Sequence, residues 1–393
     1  MKSYKYIIIG GGMTADSAVK GIRSVDGEAA IALFSKDIDK PYNRPPLTKA
    51  LWKGGTMDDV WRKTSEDHLD LYLNTSIEHL DAINKTVTDG AGTSYQYEKL
   101  LLATGGTVHT LPFPVEGVIY YRTLEDYRHL KGLTETKNNF VVIGGGFIGT
   151  EIAAALCLNG KKVTMVFPEG SIGERNYPKP LSDFITEYYK KKGVTILAGD
   201  GVENISKSGE EFIVKTKSGK ALPFDGVIAG IGITVNTSLA EQAGLSIDNG
   251  IIVNEYCQSS DAAIYAAGDV ANFFDPELGK RIRIEHEDNA NKMGECAGKN
   301  MAGKEEAYQY LPYFYSDLFD LGYEGIGELD SRHETVCDWK EENKEGVIYY
   351  LSNDRIRGVL LWNVWEKIDR ARTLIASSGP YDKNSVVGLI SME

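Results

Sequence analysis

The chain of 393 residues has few cysteines, and the four present (Cys157, Cys257, Cys296 and Cys337) include no C-x-x-C pair. That excludes a metal knuckle and a redox dithiol of the usual spacing, and makes four reduced thiols the plain expectation. Positive charge is also scarce, with 43 Lys and Arg against 56 Asp and Glu and a net charge of −13. Nucleic acid and anionic membranes are bound by clustered cations that release counter-ions, so neither is an expected partner. The run Lys190-Lys191-Lys192 reads as the solvated end of a helix. No apolar run approaches membrane-spanning length, and no metal is expected. Met1 leads within a few residues into an apolar strand-like run, so no signal peptide and a cytoplasmic location are expected. What remains is an ordinary soluble composition, 42% hydrophobic, long enough for two or three domains.

Two segments resemble each other. Tyr6-Ile7-Ile8-Ile9 ends in Gly10-Gly11-Gly12, and Phe140-Val141-Val142-Ile143 ends in Gly144-Gly145-Gly146. Short continuous apolar runs suit parallel strands buried on both faces. A helical pattern follows each. In the second, Ile148, Ile152, Ala155 and Leu156 recur at helical spacing and Gly160 stands where a C-terminal cap is wanted. Another apolar run comes next, Ala30–Phe34 in the first copy and Val163–Phe167 in the second. The pattern is strand, glycine turn, helix, strand, twice over.

The runs Lys99–Gly105 and Ala262–Asp269 lie on either side of the second copy. The economical reading inserts the second nucleotide domain into the first, with the chain crossing back near Gly232. After about Lys304 aromatics cluster and alternating runs appear, Val347–Leu351 and Arg357–Leu361 about an Asn353-Asp354 turn. These predict an antiparallel C-terminal domain. The fold class is α/β: two Rossmann-like domains (1–115 with 233–308, and 116–232) and an α+β C-terminal domain over 309–393.

Gly10-x-Gly12-x-x-Ala15 permits a tight turn that lets backbone N–H groups at a helix start meet a pyrophosphate, with a small residue for close helix packing. Gly144-x-Gly146-x-x-Gly149 is the fuller copy. One such motif is weak evidence; two between strand and helix are strong. Phe167-Pro168-Glu169 puts a carboxylate after the second strand with no Arg beside it in the sequence. A carboxylate accepts from the ribose 2′-OH and repels a 2′-phosphate, so this domain is read as binding NADH. In the first copy the matching place is Ser35-Lys36, which leaves Ser35, Asp37 or water to hold that ribose.

Several longer strings carry a resemblance: Pro41-Tyr42-Asn43-Arg44-Pro45-Pro46-Leu47-Thr48-Lys49, Gly144 to Glu151, Ile284-Glu285-His286-Glu287-Asp288-Asn289-Ala290, Phe314-Tyr315-Ser316-Asp317-Leu318 and Leu361-Trp362-Asn363. From Tyr6 to about Ile390 the chain resembles pyridine-nucleotide-disulfide-fold flavoproteins of the ferredoxin-reductase branch, especially those like apoptosis-inducing factor. The resemblance implies FAD in the first domain. It places Arg44 and Lys49 over the flavin, Arg122 on the FAD pyrophosphate and Asp269 on the ribityl chain. Glu285 and His286 would border the ring, and Tyr315 takes a position where apoptosis-inducing factor has tryptophan. Thr104 and Gly105 join the FAD set with Gly10, Gly12, Ala15 and Ser35. The NAD set is Gly144, Gly146, Phe147, Ile148, Gly149, Glu151, Glu169 and Gly232. Lys49 and Glu151, expected from opposite nucleotide domains, would pair beside flavin N5 as the catalytic residues. The long regulatory insertion of the apoptotic protein has no room between Trp339 and Lys344, and the acidic balance argues against its DNA-binding role.

The expected activity is hydride transfer from NADH to FAD, then electron transfer to a ferredoxin- or rubredoxin-like carrier, a quinone or oxygen. The competing expectation is a redox-sensing interaction protein that holds a long-lived charge-transfer complex, with homodimerisation through the C-terminal domain as its output.

Overall fold

The computed structural model describes residues 1–64 and 68–393. They form two compact units: Met1–Arg44, Thr56–Thr107 and Ile233–Pro312 in the first, and Pro45–Gly55, Val108–Gly232 and Tyr313–Glu393 in the second.

In the first unit the strand Lys2–Ile9 lies between Ile31–Phe34 and Ser94–Leu102, parallel to both, with Ile9 opposite Phe34 and Leu102. Ile7, Ile8, Leu33, Leu100 and Leu101 are fully buried, as continuous apolar strands inside a parallel sheet must be. The run expected over Ala262–Asp269 is strand only at Ile264–Ala266, which pairs parallel to Leu100–Leu102; a 3₁₀ turn, Gly268–Val270, follows. The helix after the first glycine loop, Met13–Arg23, packs against the helix Glu287–Met301. Their backbones approach so closely that a Cβ at Gly294 would collide with the Thr14 carbonyl and one at Gly298 with that of Ala18.

The second unit has a parallel five-stranded sheet in the order Thr195–Ala198, Lys162–Phe167, Asn139–Ile143, Gly226–Ala229, Val118–Tyr120. The helix Phe147–Leu158 follows the second glycine loop, and Gly160 takes φ 73° just past its end. The C-terminal sheet is antiparallel, ordered Tyr313–Leu318, Leu321–Gly327, Arg355–Trp362, Glu345–Ser352, Glu334–Glu341. Asn353 and Asp354, at φ 53° and 54°, make the expected hairpin turn. Trp362 is fully buried and stacks on Tyr323 with ring centroids 5.8 Å apart. Among the described residues no helix is long and apolar enough to cross a membrane.

Candidate functional site

In the first unit Gly10 has φ 127°, and a Cβ there would strike the Ala103 carbonyl, so only glycine makes this turn. Gly12 caps the helix Met13–Arg23 with its Cα face open except for the Arg44 guanidinium, whose Nη2 lies 4.0 Å from where a Cβ would be. A helix start with free N–H groups and a cation nearby suits a pyrophosphate. Ala15 is fully buried against the sheet. Ser35 packs beneath Gly11 and accepts the Asp37 N–H at 3.1 Å, while the Asp37 carboxylate accepts from the Tyr42 hydroxyl at 3.1 Å.

The loop bearing Arg44 is braced by residues that sequence reading missed. Buried Asp16 accepts from Arg62 Nε and Thr64 Oγ1, each at 2.5 Å, and from Lys20 at 2.8 Å. Arg62 in turn donates to Asn43 Oδ1 at 2.8 Å. Burial alone would raise the Asp16 carboxyl, but the hydrogen bonds from Lys20 and Thr64 and the Arg62 charge hold it below its ordinary value. An acid in the first turn of the glycine-loop helix was the available signal.

Asp269 sits in the 3₁₀ turn at the sheet end, where its carbonyl accepts from Arg283 Nη1 at 3.1 Å. The same Nη1 donates to Glu285 at 2.6 Å, so Arg283 ties together two of the residues assigned to the flavin. Thr104 donates to the Asn236 carbonyl at 2.7 Å, and Gly105 accepts the Asn236 N–H at 2.9 Å. His286 is the N-cap residue of Glu287–Met301, and burial pushes its pKa down to about 4 against the opposing pull of Asp269. Its folded pKa lies below the ordinary 6.5, so the folded state resists a proton that the unfolded state takes up. Stability from this group is full above pH 6.5 and is lost as pH falls toward 4. Thermal unfolding across that window is expected to be less pH-sensitive for His286→Asn than for the parent; equal slopes would sink this account.

In the second unit Gly144 has φ 115°, and Gly149 abuts the Gly144 carbonyl. Gly146, the N-cap of Phe147–Leu158, has nothing within 4 Å of where a Cβ would stand, which leaves room for a ligand. Ile148 is exposed, and the Phe147 ring meets that of Phe314 at 5.4 Å. Gly232, at φ 96°, ends the segment Val108–Gly232, its carbonyl accepting the His109 N–H at 2.9 Å. Arg122 precedes the capped helix Leu124–Thr136, its N–H donating to Asp126 at 3.0 Å.

The pair Lys49–Glu151 forms, with Nζ 2.6 Å from Oε1. It forms inside one compact unit, because Pro45–Gly55 groups with the second glycine loop; the expectation of opposite domains is corrected here. The cause is local anchoring: the Leu47 carbonyl accepts from the Tyr121 hydroxyl at 2.5 Å, and the Trp52 carbonyl accepts from Asn159 Nδ2 at 3.0 Å. The side chains of Lys49 and Glu151 are only 12% and 5% exposed. Glu151 also accepts from Thr48 Oγ1 at 2.5 Å and from Ser316 Oγ at 2.6 Å, two partners that sequence reading missed, although both stand beside assigned residues. Lys49 Nζ lies 5.2 Å from the centre of the Tyr315 ring, cation–π range.

One sequence expectation changes. Glu169 has an arginine beside it after all: Arg175 Nη2 is 2.7 Å from its Oε1, brought round by the loop that follows Phe167. Cys257 and Cys296 interact, which pushes the Cys257 thiol up and the Cys296 thiol down. Both are buried, and all four are unbridged.

Comparison with known proteins adds three findings. A family model described as pyridine nucleotide-disulphide oxidoreductase matches residues 4–294, and one described as the C-terminal part of apoptosis-inducing factor matches 297–345 and 337–377. The chain is 34% identical to apoptosis-inducing factor 1, mitochondrial, of Dictyostelium discoideum (95% of this chain, 79% of that one). It is 32% identical to the ferredoxin–NAD(+) reductase component of the anthranilate 1,2-dioxygenase system of Burkholderia cepacia (97% and 96%). Among solved structures, the covalent putidaredoxin reductase–putidaredoxin complex superposes with a TM-score of 0.90 at 29% identity, covering 98% of this chain and 95% of that one.

Proposed function

The chain belongs to the pyridine nucleotide-disulphide oxidoreductase family, an FAD- and NAD(H)-binding oxidoreductase, and from that premise we propose that it oxidises NADH and passes the electrons to a small one-electron carrier of the ferredoxin type. Bound FAD would accept the nicotinamide hydride at its N5 atom. The chain's own task is to orient the two nucleotides and to set the charge around them. Gly12 and Gly146, each open at a helix start, fit a pyrophosphate apiece, and the Arg44 cation over Gly12 fits the first.

The observation that carries the reading is the buried Lys49–Glu151 pair under the Tyr315 ring, beside the second glycine loop. For packing alone, an apolar pair of equal volume would serve as well or better, because desolvating two charges is costly. A paired cation held at a ring is useful where negative charge develops during reduction. The ferredoxin-type carrier is favoured by the reductase relatives. The test is to reduce the purified protein with NADH without oxygen and offer ferredoxins, rubredoxin, a quinone and oxygen in turn. Reoxidation by a ferredoxin faster than by every other acceptor is expected; a quinone or oxygen winning would overturn the acceptor.

The match of the C-terminal segment to the apoptosis-inducing factor model favours a second reading, slow turnover with reduction governing homodimerisation. The lifetime in air of the long-wavelength absorbance formed with NADH separates the two: seconds for a reductase, many minutes for a sensor.

Glu169 is assigned to the adenosine ribose, with Arg175 as its companion. Glu169→Ala is expected to weaken NADH binding by roughly 1.5–3 kcal/mol, the worth of a charge-assisted hydrogen bond, with FAD content unchanged. NADPH should be the poorer donor, and Arg175→Ala should widen that gap about threefold, since a largely exposed ion pair contributes under about 1 kcal/mol. Equal use of NADH and NADPH by the parent protein would refute the assignment.

A further inference from the structure

We infer that Ser316, together with Thr48, is a positioning residue that fixes the Glu151 carboxylate and through it the Lys49 ammonium; the inference rests on the reading of the Lys49–Glu151 pair given above. A carboxylate bound only to one lysine at one oxygen can still rotate about its last bond. Here Oε1 accepts from Lys49 and Ser316, each at 2.6 Å, and Oε2 accepts from Thr48 at 2.5 Å. Three donors on two oxygens define the plane of the group. Both hydroxyls are buried, Ser316 at 1% exposure and Thr48 at 7%.

The donors come from three separate places. Thr48 precedes Lys49 in the turn after Pro45-Pro46. Glu151 lies in the first turn and a half of Phe147–Leu158, where the helix dipole favours a negative charge. Ser316 is in the strand Tyr313–Leu318, next to Tyr315, whose ring lies against Lys49. One hydroxyl therefore locks the strand carrying the aromatic ring to the helix carrying the acid, 165 residues apart in sequence. Losing it lets the carboxylate turn and Lys49 swing from the ring, while the nucleotide-binding loops keep all their contacts. A merely structural serine would cost stability and leave Lys49 where it is.

The holoproteins to compare are the parent, Ser316→Ala, Ser316→Thr, Thr48→Val and Lys49→Met. Two readouts are needed: the limiting rate of reduction by NADH, and the extent to which an amine-reactive reagent labels Lys49, measured by mass spectrometry. Ser316→Ala is expected to slow reduction about tenfold, the effect of one hydrogen bond's worth of positioning, with the NADH concentration for half-saturation little changed. Lys49 labelling should rise severalfold, and Ser316→Thr should restore both values. If Ser316→Ala lowers the melting temperature but leaves rate and labelling at parent values while Lys49→Met still slows reduction, this inference is wrong and the reading of the pair stands. If Lys49→Met does not slow reduction, the reading of the pair itself is wrong. Should Ser316→Ala not retain FAD, Thr48→Val carries the same two readouts, with a slower rate and greater labelling expected and parent values overturning the inference.

Discussion

Lys49→Ala and Glu151→Ala should each slow flavin reduction by NADH about a hundredfold, and the double variant should be less impaired than the sum of the two. Each single change strands a charge in a place where the side chains are 12% and 5% exposed. Breaking a buried pair from one side costs about 3–5 kcal/mol, whereas removing both partners leaves no orphaned charge. The two singles should not be equal. Losing Lys49 leaves Glu151 still accepting from Thr48 and Ser316, but losing Glu151 strands the ammonium and both hydroxyls at once. Glu151→Ala is therefore the worse of the two. Stopped-flow rates for the four proteins decide the matter. Strictly additive effects would mean that the residues act independently, and the hydride-transfer site would need to be sought elsewhere.

Gly298→Ala should destabilise the protein and lower its FAD content, against the ordinary preference of helices for alanine. Propensity alone favours alanine over glycine in a helix by about 1 kcal/mol. In Glu287–Met301, however, a Cβ at 298 would run into the Ala18 backbone, which no rotamer change can move aside. Overpacking of this kind costs about 1–3 kcal/mol and is relieved only by pushing the helices apart. Those helices begin at Gly12 and His286, so the separation displaces both of these proposed FAD contacts. Gly132→Ala is the matched control: it lies within Leu124–Thr136, with nothing within 4 Å of an added Cβ, and it should stabilise. Calorimetric melting and the flavin-to-protein absorbance ratio test both. If Gly298→Ala is as benign as Gly132→Ala, the close packing of the two helices does not govern FAD retention.

The sequence by itself determined the repeated strand–glycine–helix–strand pattern, because each part is a local signal. Four apolar residues in a row bury a strand on both faces, and Gly10 and Gly144 adopt positive φ that other residues resist. The Asn353-Asp354 turn and the cap at Gly160 were legible for the same reason. Partnerships between distant side chains were not. Arg175 reaches Glu169 only because the loop after Phe167 folds back, and a loop's path is not written in periodicity. Cys257 meets Cys296 across a stretch of chain that includes a strand pair and a helix. The hydroxyls on Glu151 come from 103 positions before it and 165 after it. Only tertiary structure decided that Pro45–Gly55 groups with the unit of the second glycine loop, through the Tyr121 bond to the Leu47 carbonyl and the Asn159 bond to the Trp52 carbonyl. The division follows from range: backbone preference and burial pattern act within a few residues, while the partners of a buried charge are set by which surfaces the finished sheets and helices bring together.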